Sequence, residues 1–328
     1  MSRINILILV LMTILCIIGL YKSLSPQNNK APLVAIANYG QHSSLQETIR
    51  GIKAGLYARG YREGKTVEFE IADVSFDASL ITQMLSKLRA SKPKLIVAIS
   101  TPVAQVAKNY IKDIPIVFVD VTDPVEAGIL KTHTKAEKNI TGCTDTQDLS
   151  LVIKFAKKLS PEMKRIGILY AIGEHNDVAL AKSMKQAAES EGVELLAIPI
   201  ESAHDIPARM HKFEGHVDMI YVGASGLIQP SLPTIVAIAE EMKIPVLNMN
   251  SDDVKDDKVF ASYGVTYYKV GIHAGKMISE ILDGKKAHDI PPVYPHQEDH
   301  EAFISIKRQQ QINFELPTIL PQSTYTVK

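Results

Sequence analysis

Small and polar residues follow six apolar runs of this sequence, at positions where their side chains could bind a ligand. The β-branched and aromatic run at residues 116–119 suits a strand buried on both faces, and Asp120, Thr122 and Asp123 follow it. The other clusters lie at residues 37–41, 100–102, 173–176, 223–225 and 248–250. In an open α/β sheet, ligands bind beyond the carboxyl ends of the strands. Six such clusters in one chain therefore predict a binding cleft.

The cluster Ser100-Thr101-Pro102 ends one predicted strand and begins a helix. Free backbone N–H groups at the start of a helix, together with two hydroxyls, suit an anion such as the carboxylate of an amino acid. A simple helix cap is the alternative interpretation, and it explains such sequences about as often.

Three carboxylates at predicted strand ends could bind an ammonium group through charge-assisted hydrogen bonds. Asp120 and Asp123 follow one strand, and Glu174 follows a strand in the second half of the chain. Ordinary turn chemistry also explains Asp123 before Pro124, and Glu174 could instead cap the next helix.

The composition excludes several other classes of function. Lys and Arg total 36, as do Asp and Glu, so no basic surface indicates nucleic-acid binding. Because no glycine-rich phosphate-binding motif occurs, a nucleotide cofactor has no support. Cys and His residues lack the spacing of a metal site, and no hydrolase or metalloprotease motif is present. We therefore expect no cofactor, no metal and no catalysis.

The elements that must position these residues alternate between strand and helix in two successive segments. Apolar patterning predicts βαβαβαβ over residues 33–119, and the same rhythm restarts at residue 165. A strand at 259–263 and a helix at 267–282 are expected to cross back and complete the first lobe. The predicted fold is α/β, with two doubly wound parallel-sheet lobes that are joined by a hinge and enclose a ligand.

The predicted organisation has four parts. They are a signal or anchor helix with its tether (1–30), an N-terminal lobe (31–145 plus 259–285), a C-terminal lobe (146–258) and an extended C-terminal tail (286–328).

The N-terminal segment predicts export. Residues 4–21 are almost wholly apolar, a length at the border between a signal peptide and a membrane-spanning helix. The lack of a good cleavage site favours an uncleaved anchor; a cleaved signal and lipidation at Cys16 are the alternatives. We expect a periplasmic or otherwise extracytoplasmic protein that its N-terminal helix tethers to the cytoplasmic membrane.

Motifs along the chain resemble those of the periplasmic substrate-binding proteins of ABC transporters, in the branch with tryptophan- and tyrosine-binding lipoproteins. The resemblance spans about 32–317 and rests on PKLIVAISTPVAQVAK, IPIVFVDVTDPVEAGIL, IGILYAIGEHNDV and IPVLNMNSDDVKD, in that order. It implies a type I-like bilobed fold and a ligand-binding set of Tyr39, Gln41, Ser100, Thr101, Thr122, Asp123, Glu174, Asn176, Gly223, Ala224 and Asn248.

The resemblance also implies a function. We expect an extracytoplasmic protein that binds a small solute between its lobes and delivers it to an ABC permease. The expected ligand is an amino acid, aromatic amino acids included, with its carboxylate at Ser100 and Thr101 and its ammonium at Asp123 or Glu174. One alternative is a sensory module that reports ligand occupancy to a membrane partner, and another is an enzyme that uses the interlobe carboxylates.

Overall fold

The structure is a computed structural model, and it describes residues 31–320 and 324–327. The predictions about a signal, anchor or lipidation site concern residues 1–30, outside the described residues. Within the described ranges, no helix is both long and apolar enough to cross a membrane.

The first lobe is built on a five-stranded parallel sheet. Its elements are β1 (Leu33–Asn38), α1 (Ser43–Ala58), β2 (Glu68–Asp73), α2 (Ile81–Ala90), β3 (Leu95–Ile99), α3 (Thr101–Tyr110), β4 (Ile116–Val121) and β5 (Ile140–Thr144). The strand order is β2-β1-β3-β4-β5. Every residue of β3 and β4 is buried, as expected for strands with helices on both faces.

The second lobe is built on a seven-stranded sheet. Its elements are α4 (Leu149–Leu159), β6 (Arg165–Ala171), α5 (His175–Ser190), β7 (Glu194–Ile200), α6 (Ile206–Met210), β8 (Met219–Val222), α7 (Leu232–Glu241), β9 (Val246–Asn248), α8 (Ser251–Lys255), β10 (Ala261–Val265), β11 (His300–Ser305), α10 (Ile306–Gln311) and β12 (Thr324–Val327). The order is β12-β11-β10-β9-β8-β6-β7, and only the pairing of β10 with β11 is antiparallel.

The remaining long helix, α9 (Tyr267–Leu282), returns to the first lobe and packs along α1. Glycines on both helices make this contact close. A Cβ at Gly275 would overlap the backbone oxygen of Ile52, and a Cβ at Gly51 would overlap that of Tyr268. The two helices therefore meet backbone to backbone, which anchors α9 in the first lobe.

The chain passes between the lobes three times within the described residues. It crosses after β5, again at Thr266 between β10 and α9, and a third time after Val293. Val293 exchanges backbone hydrogen bonds of 2.9 Å with Gly142 and Thr144 before the chain enters β11. Three adjacent crossovers form the hinge that the sequence predicted.

Two parts of the predicted organisation differ from the structure. The strand expected at 259–263 does not complete the first lobe: β10 pairs with β9 and β11 in the second sheet, although α9 does cross back. The tail at 286–328 is not simply extended, because it contributes β11, α10 and β12 to the second lobe. A lobe boundary near residue 145 remains our proposal.

Candidate functional site

The carboxyl ends of both sheets face a cleft between the lobes, and we call its larger polar part the first chamber. It has about 500 Å³ of space free of protein atoms, some of it open to solvent. The first lobe contributes Tyr39, His42, Ser44, Leu45, Phe76, Ser100, Thr101, Pro102, Asp120, Thr122 and Tyr267. The rest of its wall is Asp145, Glu174, Asn176, Ala224, Ser225, Gly226 and Gln229.

Asp120 lies in β4 at the floor of the first chamber and is only 5% exposed. Its backbone has a φ of +54°, an uncommon value for a residue other than glycine. Thr48 of α1 donates a 2.5 Å hydrogen bond to one carboxylate oxygen, and the other has no partner among the described residues. Burial, and then the nearby Asp145, raise the pKa of Asp120 well above its ordinary value.

Asp145 follows β5 at the first crossover, beside Asp120, and is 2% exposed. Burial raises the pKa of its carboxyl to about 6. Its Oδ1 has no hydrogen-bond partner among the described residues. Two buried carboxylates in one chamber are costly unless a cation compensates them.

Glu174 precedes α5 and reaches the first chamber from the second lobe. Its Oε2 accepts hydrogen bonds from the backbone N–H of Gly226 at 3.0 Å and from the hydroxyl of Ser225 at 3.3 Å. Burial raises the pKa of Glu174, and these hydrogen bonds partly oppose the shift. The nearby Asn176 donates to the carbonyl of Ala224 at 2.8 Å, while its side-chain oxygen is buried and has no partner among the described residues.

The wall that the first lobe contributes includes an aromatic pair and the start of α3. Tyr39 and Phe76 contact edge to face, with ring centroids 5.4 Å apart. Ser100 has a φ of +83°, and its hydroxyl is buried without a partner among the described residues. Because Ser100 immediately precedes α3, the N-terminal end of that helix lines the chamber.

The charges of the first chamber are unbalanced. It contains the three carboxylates of Asp120, Asp145 and Glu174, whereas none of the described residues that line it is Lys or Arg. His42 is the one basic side chain in this lining, and burial lowers its pKa. The chamber is therefore suited to a ligand that carries a positive charge.

Seven of the eleven residues that the resemblance implied line the first chamber: Tyr39, Ser100, Thr101, Thr122, Glu174, Asn176 and Ala224. The structure brings these side chains together from both lobes.

The other four lie outside the first chamber. Gln41 is exposed and hydrogen-bonds to Asp73. The Asp123 carboxylate accepts from the backbone N–H groups of Val125 and Glu126 at 2.9 and 3.0 Å, so it stabilises a turn. Gly223 offers only its carbonyl, to Gln229, and the buried Asn248 accepts from the same Gln229 amide at 2.9 Å.

Sequence reasoning missed Asp145, Phe76, Tyr267 and Gln229 and left Asp120 out of the final set. Asp120 stood at a recognised strand end, so its position was a usable signal. Asp145 was missed because β5 was not recognised as a strand. Phe76 has a φ of +65° in a loop, and no residue pattern indicated its position.

Contacts across the cleft hold the lobes together. Gly226 of the second lobe lies against Tyr39, where a Cβ would overlap the tyrosine ring. Asn250 donates to the hydroxyl of Ser43 at 3.3 Å, and Lys182 pairs with Glu126 at the rim. The structure is therefore in a closed form.

Comparison with known proteins identifies the family. Residues 33–326 match the family model described as ABC transporter substrate binding protein. The chain belongs to this family. It is an extracytoplasmic solute-binding component of an ABC transport system, and the partner that the family implies is a membrane permease.

Individual relatives agree with this assignment. The chain is 32% identical, over 264 residues, to a protein of Clostridioides difficile named tyrosine-binding protein; the match covers 80% of this chain and 76% of the relative. A crystal structure from Streptococcus pneumoniae, an ABC domain in complex with L-Trp, has a TM-score of 0.84 and 26% sequence identity to this chain. The match covers 91% of this chain and 100% of the Streptococcus pneumoniae chain.

A third relative is informative about the closed form. It is a substrate-binding protein with adhesive properties from Clostridium difficile, in a ligand-free, open structure that covers 91% of this chain and 99% of its own. Its TM-score is only 0.70, although its 28% identity is slightly higher than that of the L-Trp complex. Because similarity in sequence does not explain the difference, we attribute it to the arrangement of the lobes.

Proposed function

We propose that this protein binds an aromatic amino acid in the first chamber and delivers it to an ABC permease, without catalysing a reaction. The observation that carries the proposal is the pairing of an acidic chamber with an aromatic wall. Three carboxylates without a Lys or Arg partner in the lining require a cationic group, and Tyr39 and Phe76 suit an apolar ring. The names of the tyrosine-binding relative and of the L-Trp complex support the same ligand class.

In this proposal the ammonium group of the ligand contacts Asp120 and Glu174. The sequence-based alternative, Asp123, is less suitable because one of its carboxylate oxygens already accepts two backbone hydrogen bonds. Asp120 and Glu174 belong to different lobes, so a ligand that contacts both is stabilised most in the closed form.

The ligand carboxylate is proposed to lie at Ser100 and Thr101. The free N–H groups in the first turn of α3 and the unpartnered Ser100 hydroxyl are the donors available on this wall. Such donors can stabilise the negative charge of the ligand carboxylate even though no cationic side chain contacts it.

We also propose that the apolar segment at residues 4–21 exports the protein and tethers it to the membrane. Fractionation of cells that express the full chain, with and without carbonate or detergent extraction, tests this part. Release by carbonate alone would contradict a tether.

A thermal-shift screen of the purified protein against the twenty amino acids and a set of sugars tests the ligand class. A ligand present at 100 times its Kd adds about 2.7 kcal/mol to the free energy of unfolding, which raises Tm by a few degrees. We expect shifts from L-Tyr, L-Trp or L-Phe. Shifts from sugars alone would contradict the proposal.

A further inference from the structure

A second chamber lies beside the first. It has about 490 Å³ of space free of protein atoms, part of it continuous with solvent. Thr122, Asp145 and Ala224 line both chambers and are therefore the boundary between them. Two of these three side chains are small, so a ligand group could extend from one chamber into the other.

The second chamber has an apolar side, and its polar lining includes Asp123, Thr146 and Ser183 besides Asp145 and Gln147. Leu149 of α4, Leu180 of α5 and Met249 after β9 are all buried and face this space. Walls of this kind suit a planar ring or another apolar group, because burial of apolar surface stabilises the complex.

Two polar groups in the second chamber lack partners. The Asp145 Oδ1 and the amide nitrogen of Gln147 are both buried and form no hydrogen bond among the described residues. One is an acceptor, and the other is a donor. Buried polar groups are normally paired, so each of them indicates a position where a ligand atom would be stabilised.

The Gln147 amide is held in place by its surroundings. The hydroxyl of Tyr221, a side chain buried in β8, donates to the Gln147 Oε1 at 3.0 Å. Gly264 leaves the space that the amide occupies, since a Cβ there would overlap the Gln147 nitrogen. A fixed amide can discriminate between a ligand that pairs with it and one that does not, whereas a mobile amide would adapt to both.

We propose that the second chamber binds the distal end of the ligand side chain, and that Asp145 and Gln147 select an aromatic ring that carries a hydroxyl group. A phenol can donate to the carboxylate of Asp145 and accept from the amide of Gln147, while its ring packs against Leu180 and Met249. An unsubstituted ring would leave both buried polar groups unpaired, and sites of this kind reject such ligands strongly. This inference rests on the proposed function and narrows its ligand class to L-tyrosine-like compounds.

Titration calorimetry with L-Tyr and L-Phe tests the inference on wild type, on Gln147→Leu and on Gln83→Leu. Gln83 is the matched control, because it is an exposed glutamine outside both chambers. We expect wild type to bind L-Tyr at least ~10-fold more tightly than L-Phe, and Gln147→Leu to lose this preference because L-Tyr binding weakens. Gln83→Leu should retain this preference.

The possible failures are distinguishable. If wild type binds L-Tyr and L-Phe equally, or if Gln147→Leu weakens both by the same factor, the subsite assignment is wrong and the aromatic ligand class stands. If neither compound nor L-Trp binds, the proposed function is wrong and the subsite with it. If thermal unfolding shows that Gln147→Leu is not folded, the near-isosteric Gln147→Met provides the same comparison.

Discussion

Asp120 and Asp145 are both buried in the wall of the first chamber, and each has one carboxylate oxygen without a hydrogen-bond partner among the described residues. Burying such groups costs free energy in the unliganded protein, because the charged form loses its hydration. A ligand ammonium group at Asp120 and a ligand hydroxyl at Asp145 would recover part of this cost. Single carboxylates should therefore control affinity more than they control stability.

Asp120→Asn is expected to weaken binding of the amino acid by about 2–5 kcal/mol, because the ammonium would lose a buried charged partner. Titration calorimetry measures the change. Asp113→Asn is the matched control, since Asp113 is exposed and lines neither chamber, and its affinity should remain within a few-fold of wild type. A loss in Asp113→Asn as large as that in Asp120→Asn would contradict our assignment.

The raised pKa values predict a pH dependence. The pKa of Asp145 is about 6, above its unfolded value of about 4. A carboxyl with a raised folded pKa contributes stability below its unfolded pKa, and this contribution is lost as pH rises through the folded pKa. The Tm of the unliganded protein should therefore fall between about pH 4 and pH 6 on account of this group, and Asp145→Asn should flatten the profile.

The stabilisation that the ligand adds should have the opposite pH dependence, because its ammonium group binds the ionised carboxylates more strongly than the protonated ones. Thermal unfolding with and without the amino acid should show a larger ligand-induced shift at pH 7 than at pH 5. A larger shift at pH 5 would contradict an ammonium partner in this chamber.

At the scale of elements, the sequence predicted the alternation of strands and helices but not every sheet assignment. β5 has the sequence ITGCT, without a long apolar run, and Gly142 is needed there because a Cβ would overlap Phe118. The sequence predicted that a strand at 259–263 would complete the first lobe, and this was wrong; α9, directly after it, does return to the first lobe. Alternation alone does not specify which sheet a strand joins, since that depends on packing between distant residues.

Because α1 and α9 are in close contact, a larger side chain between them should lower the free energy of unfolding. Gly275→Ala would place a Cβ against the backbone of Ile52, so the free energy of unfolding should fall by about 1–3 kcal/mol. Gly173→Ala is the control: no atom lies within 4 Å of the Cβ position there, and its stability should change little. Denaturant unfolding of both variants measures the difference, and equal stabilities would contradict the close packing.

At the scale of the whole molecule, the closed arrangement explains why the site is formed by residues distant in sequence. The sequence predicted a bilobed protein with a cleft, since six predicted strand ends carried a polar cluster. It did not predict which clusters meet, because Asp120 and Asp123 both follow the same apolar run in the sequence. In the structure Asp120 belongs to β4 and lines the first chamber, whereas Asp123 lies after β4 and lines the second.

The ion pair between Lys182 and Glu126 connects the lobes at an exposed rim. Exposed pairs contribute at most about 1 kcal/mol, so Lys182→Met should weaken ligand affinity by no more than roughly fivefold, and high salt should remove the effect. Lys185→Met, on the same helix, is the control. A loss that persists in high salt would indicate a role beyond lobe closure.

Titration of the purified wild-type protein with L-Tyr, L-Trp and L-Phe by calorimetry tests the central claim most directly. We predict saturable 1:1 binding of at least one of them, with a negative heat-capacity change because apolar surface is buried on closure. Absence of binding by all three, together with binding of a sugar or of a carboxylate without an amino group, would contradict the account.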